Sequence, residues 1–272
     1  MKRVAPNLLI GGVLVALVVG VAALSLVWTP YDHAVLNVRG KFQGPSLAHW
    51  LGSDQLGRDV LSQLMVAARN SMTVALISVL VGGTIGVALG LTAAALGGLV
   101  EEAIMRVADI GFAFPALLFA IMLAASLGPS LWNAVAAIAF INIPIFARVA
   151  RASANQIWTR EYVLAARAAG LGRFAISRDH ILPNIAAPVI VQATIEFAVA
   201  ILAEAALSYL GLGAQPPAPS WGRMLSEAQT LMYQAPQLAI YPGLCIVAAV
   251  LGFSLLGDGL RDATDPRLAR AR

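Results

Sequence analysis

Glu196 and Glu204 stand inside an apolar run at 187–210. Eight residues apart, they fall about 80° apart around a helix, so both can lie on one broad face. An ionisable group at membrane depth is costly and turns toward a cavity or a partner. The two carboxylates therefore suit either a substrate- or ion-facing role or a structural contact with a second membrane chain. Asn142 and Pro144 pose the same choice in another apolar run. A second polar set is GSDQLGRD at 52–59, where Gly52, Asp54, Gly57, Arg58 and Asp59 suit either an outer gate or docking surface, or a capped turn. A third is the basic, alanine-rich stretch 160–185, which ends in Leu182-Pro183-Asn184. Several chemistries are missing. No G-x-x-x-x-G-K-[ST] occurs, so the chain builds no phosphate-cradling loop and is not expected to hydrolyse ATP alone. No H-E-x-x-H, clustered Cys/His pattern or G-x-S-x-G elbow occurs, and His33, His49 and His180 are scattered. The lone Cys245 lies in an apolar run and reads as a small core or lipid-facing residue.

The elements that must position these groups are membrane helices. Of 272 residues, 59% are hydrophobic and only 12% charged, about half the charge of a soluble domain. Apolar runs of about 20 residues mark spans. Six are expected, at about 7–28, 71–99, 107–127, 131–150, 187–210 and 237–256. Gly128-Pro129 suggests a tight turn between the third and fourth. The first run is long for a signal peptide and reads as an uncleaved anchor. The expected organisation is an anchor helix and outer loop at 1–70, followed by a core at 71–272. Six spans put both termini on one side, with thirteen of the 18 Lys and Arg residues. The positive-inside bias makes that side the cytoplasm. Loops 29–70 and 211–236 would then lie outside. In the first of these, a helical pattern starts at Arg58, and Asp54 or Ser53 suits the cap of the preceding turn.

On the inner side, Tyr162–Ala169 has good helix formers, and Glu161 complements the helix dipole near its start. Gly170 is placed to stop that helix. A second turn at 173–180 would end at Leu182-Pro183. Alanines at 165, 166 and 169 permit close approach of another protein, and the surrounding arginines offer charge pairing. The same composition equally fits a loop held by lipid headgroups. In span two, Gly82, Gly83, Gly86 and Gly90 suit close helix packing.

The stretch EYVLAARAAGLG…HILPN resembles the EAA loop of permease subunits of bacterial ABC importers. Leu164-Ala165-Ala166 fills the E-A-A position, Gly170 the glycine, and His180-Ile181-Leu182-Pro183 the close. Leu164 replaces the name-giving Glu, and His180 replaces the usual Ile. Glu161 and the HILPN ending resemble the dipeptide/oligopeptide/nickel branch. So do LGSDQLGRDVLSQLMVAARNSM (51–72), ILAEAALSYLGLGAQPPAPSWGRML (201–225) and LGDGLRDATDPRL (256–268). These blocks are similar to the C-type subunit of that branch's permease pair. The resemblance implies an all-α, six-helix type I ABC importer permease in the bacterial inner membrane. It implies a second homologous permease, two ATPase subunits that carry ATP and Mg, and an extracytoplasmic binding protein. No cofactor, metal, catalytic residue or nucleic-acid partner is implied on this chain. Glu161, Leu164, Ala165, Ala166, Gly170, His180, Leu182 and Pro183 would couple to an ATPase. Glu196, Glu204 and Asn142 would face the path or the partner permease. Asp258, Arg261, Asp262 and Asp265 either pack near the ATPase or form a charged stop. Peptides are the expected substrate, with nickel chelates or glycosides as alternatives.

Two rivals remain. A secondary transporter would use Glu196 and Glu204 as ion or proton sites, and would work without ATPases. EEAIMR at 101–106 resembles an element of intramembrane proteases, but spans two to six hold no histidine and the Glu pair is expected at a charged turn.

Overall fold

The computed structural model describes residues 6–264, and among them it is helical throughout apart from loops and one isolated bridge between Ser53 and Asp59. The helices are α1 Pro6–Leu24, α2 Val60–Leu96, α3 Gly98–Ala113, α4 Ala116–Leu127, α5 Leu131–Trp158, α6 Glu161–Ala168, α7 Arg173–Ile176, α8 Leu182–Tyr209, α9 Trp221–Ala228 and α10 Gln237–Thr264. Five helical segments are long and apolar enough to cross a membrane; α3 with α4 makes a sixth if that bent pair is one span.

Three boundaries differ from expectation. The third span is not one straight helix: α3 and α4 meet at 82°. Pro115 lacks an N–H and pushes Phe114 into extended backbone (φ −86°, ψ 118°), which breaks the helix there. The second span starts earlier, at Val60, because Asp59 caps it by accepting from the Ser62 N–H; the division drawn at residue 70 thus falls within a continuous helix. Leu182-Pro183 does not end the basic segment's second helix. Arg173–Tyr209 is continuous, passing through a π turn at Ser177–Ile181 in which the Leu182 N–H reaches the Ser177 carbonyl. The proline sits in the first turn after that register shift, where a missing donor is tolerated. The Glu101–Glu102 pair also lies in α3 rather than in a turn.

The core is a set of helices held by small residues. Along the α2–α5 seam, Gly82 faces Ala139 and Asn142, Gly86 faces Ile143 and Phe146, and Gly90 faces Ala147 and Ala150. The rising order on both helices makes them parallel. A side chain on any of these glycines would meet the backbone of α5, so the seam exists because Cβ atoms are absent. Helices α1 and α10 run antiparallel, with Gly11 against Leu255–Leu256 and Gly259 against Leu8. Phe197 of α8 stacks on Phe253 of α10 and Thr194 meets Gly257, so these two are antiparallel as well. The start of α1 and the end of α10 therefore share the end of the molecule that carries α6. Apolar exposure is broad, with Leu99 at 84% and Val107 at 68%, as a surface suited to a bilayer requires. Asp258, Arg261 and Asp262 lie in the last turns of α10, whereas Asp265 is outside the described residues.

Candidate coupling and translocation elements

Helix α6 ends as the spacing of its residues requires. Gly170 has φ +87°, its N–H reaches the Arg167 carbonyl, and the Leu171 N–H reaches back to Ala166. This pair of bonds closes the helix through a left-handed residue that only glycine adopts cheaply. The chain then turns into α7. Beneath the corner, Val163, Ile176, Ile181 and Ile185 pack with Ala150 and Ala154 of α5 into a small core of their own. The segment is thereby bolted to α5 on one side and continuous with α8 on the other. Its outer face is open: Tyr162, Leu164 and Phe174 are 45%, 50% and 79% exposed. Glu161, Ala165, Gly170, Leu182 and Pro183 are exposed as well, while Ala166 and His180 are half-buried.

At the opposite end, GSDQLGRD folds into a braced turn. Asp54 accepts from the backbone N–H groups of Leu56 and Arg58 (2.8 and 2.9 Å), from Arg58 Nε (2.6 Å) and from Gln63 Nε2 (3.0 Å). Gly52 and Gly57 have φ +79° and +74°, and a Cβ at Gly57 would strike the Asn37 carbonyl. Arg58 Nη2 donates to Glu227 of α9 at 2.7 Å, and Glu227 also takes Arg223 Nε at 2.8 Å. Burial alone would lower the Arg58 pKa, but the carboxylates of Asp54 and Glu227 outweigh it and raise it. Asp59 holds His49 Nδ1 at 2.8 Å beside its cap of α2, and His49 packs on Tyr31. Segments 29–70 and 211–236 are thus held together as one unit. Arg58→Leu is expected to cost about 2 kcal/mol, because it strips a buried carboxylate of its charged partner. Glu227→Gln should cost about 1 kcal/mol or less, since it retains one hydrogen-bonding oxygen. A double-mutant cycle on thermal unfolding in detergent checks the coupling between them.

Glu204 is 1% exposed. It accepts from Ser71 of α2 at 2.7 Å and from Ser208 at 2.6 Å, and the Ser220 side chain lies beside it. Ser220 is the N-cap of α9, accepting from the Arg223 N–H. One carboxylate therefore joins α2, α8 and the start of α9. Glu196, two turns away, is 5% exposed and takes Gln192 Nε2 at 2.8 Å. Asn142 is buried on the glycine seam, facing Gly82, and its Nδ2 has no partner among the described residues. The three groups do not meet. Asp109 bonds Arg148 of α5 at 2.5 Å, the interhelical contact its place near a span end suggests, and Glu101 bonds Arg151 at 2.8 Å. No motif marked Ser71 or Glu227 as partners. The four-residue spacing of Arg223 and Glu227 was the one local sign of that pair.

Helices long and apolar enough to cross a membrane, with a basic segment packed against them at one end, define a multi-pass membrane protein. A family model described as "Binding-protein-dependent transport system inner membrane component" matches residues 82–270, and the chain belongs to that family. It is 42% identical to a dipeptide transport system permease protein, DppC, of Alkalihalophilus pseudofirmus, over 96% of this chain and 86% of that one. It is 43% identical to a glutathione transport system permease protein, GsiD, of Pectobacterium atrosepticum, over 94% and 86%. A di/tripeptide permease protein of Pseudomonas aeruginosa is 42% identical, over 96% and 89%. The fold matches a chain of the inward-facing MetNI methionine ABC transporter with TM-score 0.62 at 19% identity, over 75% of this chain and 97% of that one. The protein is accordingly a multi-pass inner-membrane component with an ABC importer permease fold.

Proposed function

We propose that this chain pairs with a second homologous permease to form the path of an ATP-driven peptide importer, driven by two separate ATPases through the segment 161–183. The observation that carries the reading is the way this segment is built. It is exposed on one face, yet its other face is locked to α5 and its chain runs unbroken into α8. A push on that face moves whole helices rather than a loose loop, as rigid-body switching requires. Glu161, Leu164, Ala165, Ala166, Gly170, His180, Leu182 and Pro183 make up the ATPase-facing unit. The outer unit built on Gly52, Asp54, Gly57, Arg58 and Asp59 faces the binding protein. Both termini lie in the cytoplasm. ATP and Mg belong to the ATPases. Support for peptides comes from the relatives, whose names specify dipeptides, di- and tripeptides, and glutathione; nickel chelates and glycosides are the alternative cargo of the same architecture. Glu196, Glu204 and Asn142, all buried, act as contacts that set the helix frame.

The test is co-purification of this chain with its partner permease and ATPases. Gly170→Asp with Ala166→Arg should reduce ATPase retention about tenfold or more, because it strains a positive-φ corner and puts bulk and charge in a small-residue contact. The permease pair itself should stay monodisperse. Undiminished retention, or a wild-type chain that recruits no ATPase, would sink the reading and favour a transporter that works alone.

A further inference from the structure

Glu102, Arg106 and Asp109 recur along one face of α3, 61%, 74% and 57% exposed at their side chains. The opposite face, with Ile104, Val107 and Gly111, lines an apolar cleft against Ile143, Pro144 and Ala147 of α5. The charged face borders a separate, open depression lined by Glu101, Glu102, Met105, Arg106, Asp109 and Arg151. Arg148 sits about 26 Å along α5 from Leu131, near the inner edge of a hydrocarbon core about 30 Å thick. Half-exposed charges at that level are solvated by water, headgroups or protein rather than by acyl chains.

The pair is also incompletely used. Arg148 Nη2 bonds one oxygen of Asp109, and the guanidinium lies 4.2 Å over the Phe112 ring. The other Asp109 oxygen and the remaining Arg148 N–H groups make no hydrogen bond among the described residues. A fixed carboxylate oxygen suits an ammonium group, and a fixed guanidinium edge suits a carboxylate. We propose that the Asp109–Arg148 pair is a transit site that engages the ammonium and carboxylate ends of a zwitterionic peptide on the inner part of the path. The inference rests on the peptide-importer reading and adds the residues and the chemistry of one step in it.

The experiment uses the complete importer in liposomes, with Arg106→Cys as a reporter one turn from Asp109 and Cys245→Ala to remove the other thiol. A cationic, water-borne methanethiosulfonate is the probe and alanyl-alanine the substrate. The reporter should react, and the dipeptide should slow labelling several-fold during ATP turnover. Adding Asp109→Asn should abolish that protection, and Asp109→Asn or Arg148→Gln alone should lower dipeptide uptake about tenfold, the scale of one charge-assisted hydrogen bond. A merely structural pair would not make labelling depend on peptide. An unreactive reporter, or uptake with labelling indifferent to peptide, overturns the transit site alone. Protection that follows the phosphatidylethanolamine content of the vesicles overturns it in favour of a lipid headgroup. A wild-type complex that takes up no peptide overturns the importer reading and the transit site with it.

Discussion

Glu204→Ala should destabilise the protein by about 3 kcal/mol, enough to show as loss of the monodisperse peak after mild heating in detergent. The carboxylate is almost wholly buried and receives hydroxyls from Ser71 and Ser208, with Ser220 beside it. Alanine removes the shared acceptor, leaves those donors unsatisfied in a dry site and opens a cavity. Glu204→Gln keeps one acceptor oxygen and nearly the same volume, so it should lose only about 1 kcal/mol. The ordering matters more than either value. If the Gln and Ala variants melt together, neither the retained acceptor oxygen nor the side-chain volume matters, and this account of Glu204 fails; if Gln matches the wild type while Ala falls, Glu204 acts by filling space. The damage from alanine should also reach α9, because Ser220 caps it. Faster proteolysis within 211–236 relative to segment 161–183 would record that.

Gly86→Leu is the second large effect. A Cβ at residue 86 would fall on the Ile143 carbonyl oxygen and lie 2.7 Å from Phe146 Cβ. Neither neighbour is a flexible tip, so α2 and α5 must separate. Overpacking of this kind costs about 1–3 kcal/mol, and the parallel seam has three such glycines in register. The control is Gly243→Ala in α10, where a Cβ meets nothing within 4 Å. That change should be neutral or stabilise by up to about 1 kcal/mol, since alanine is the better helix former. Gly86→Ala should move thermal stability in the opposite direction. The same substitution type with opposite signs at two helical glycines separates close packing from helix propensity; equal signs would mean the seam is loose enough to adjust.

The two results concern one mechanical unit. Glu204 fastens α2 to α8 beside the start of α9, the glycine seam fastens α2 to α5, and the small core under Val163 fastens α5 to segment 161–183. A load path made of carboxylate, backbone contact and packed isoleucine therefore runs the length of the molecule. None of its three joints is a loop.

Some of this follows from the chain alone. Long apolar runs with few charges leave the backbone no choice but helix in a bilayer, so the places where helices form are set locally. Gly170 follows for the same kind of reason: a helix of good formers must end where a positive-φ residue is available, and its motif spacing places that corner without reference to any neighbour. Other features needed the third dimension. The break at Pro115 sits in an apolar run that reads as continuous, because composition senses hydrophobicity and not the direction of a helix axis. The π turn lets the chain pass Pro183 unbroken, a choice set by packing of Ile176, Ile181 and Ile185 on α5 rather than by proline itself. Glu204 and Ser71 are 133 residues apart. Arg58 and Glu227 are 169 apart. By itself the sequence determined where helices form and where one must stop, since those are contests within a few neighbouring residues; which buried carboxylate meets which donor was decided only when distant helices packed, because the energy of that contact does not exist until both are there.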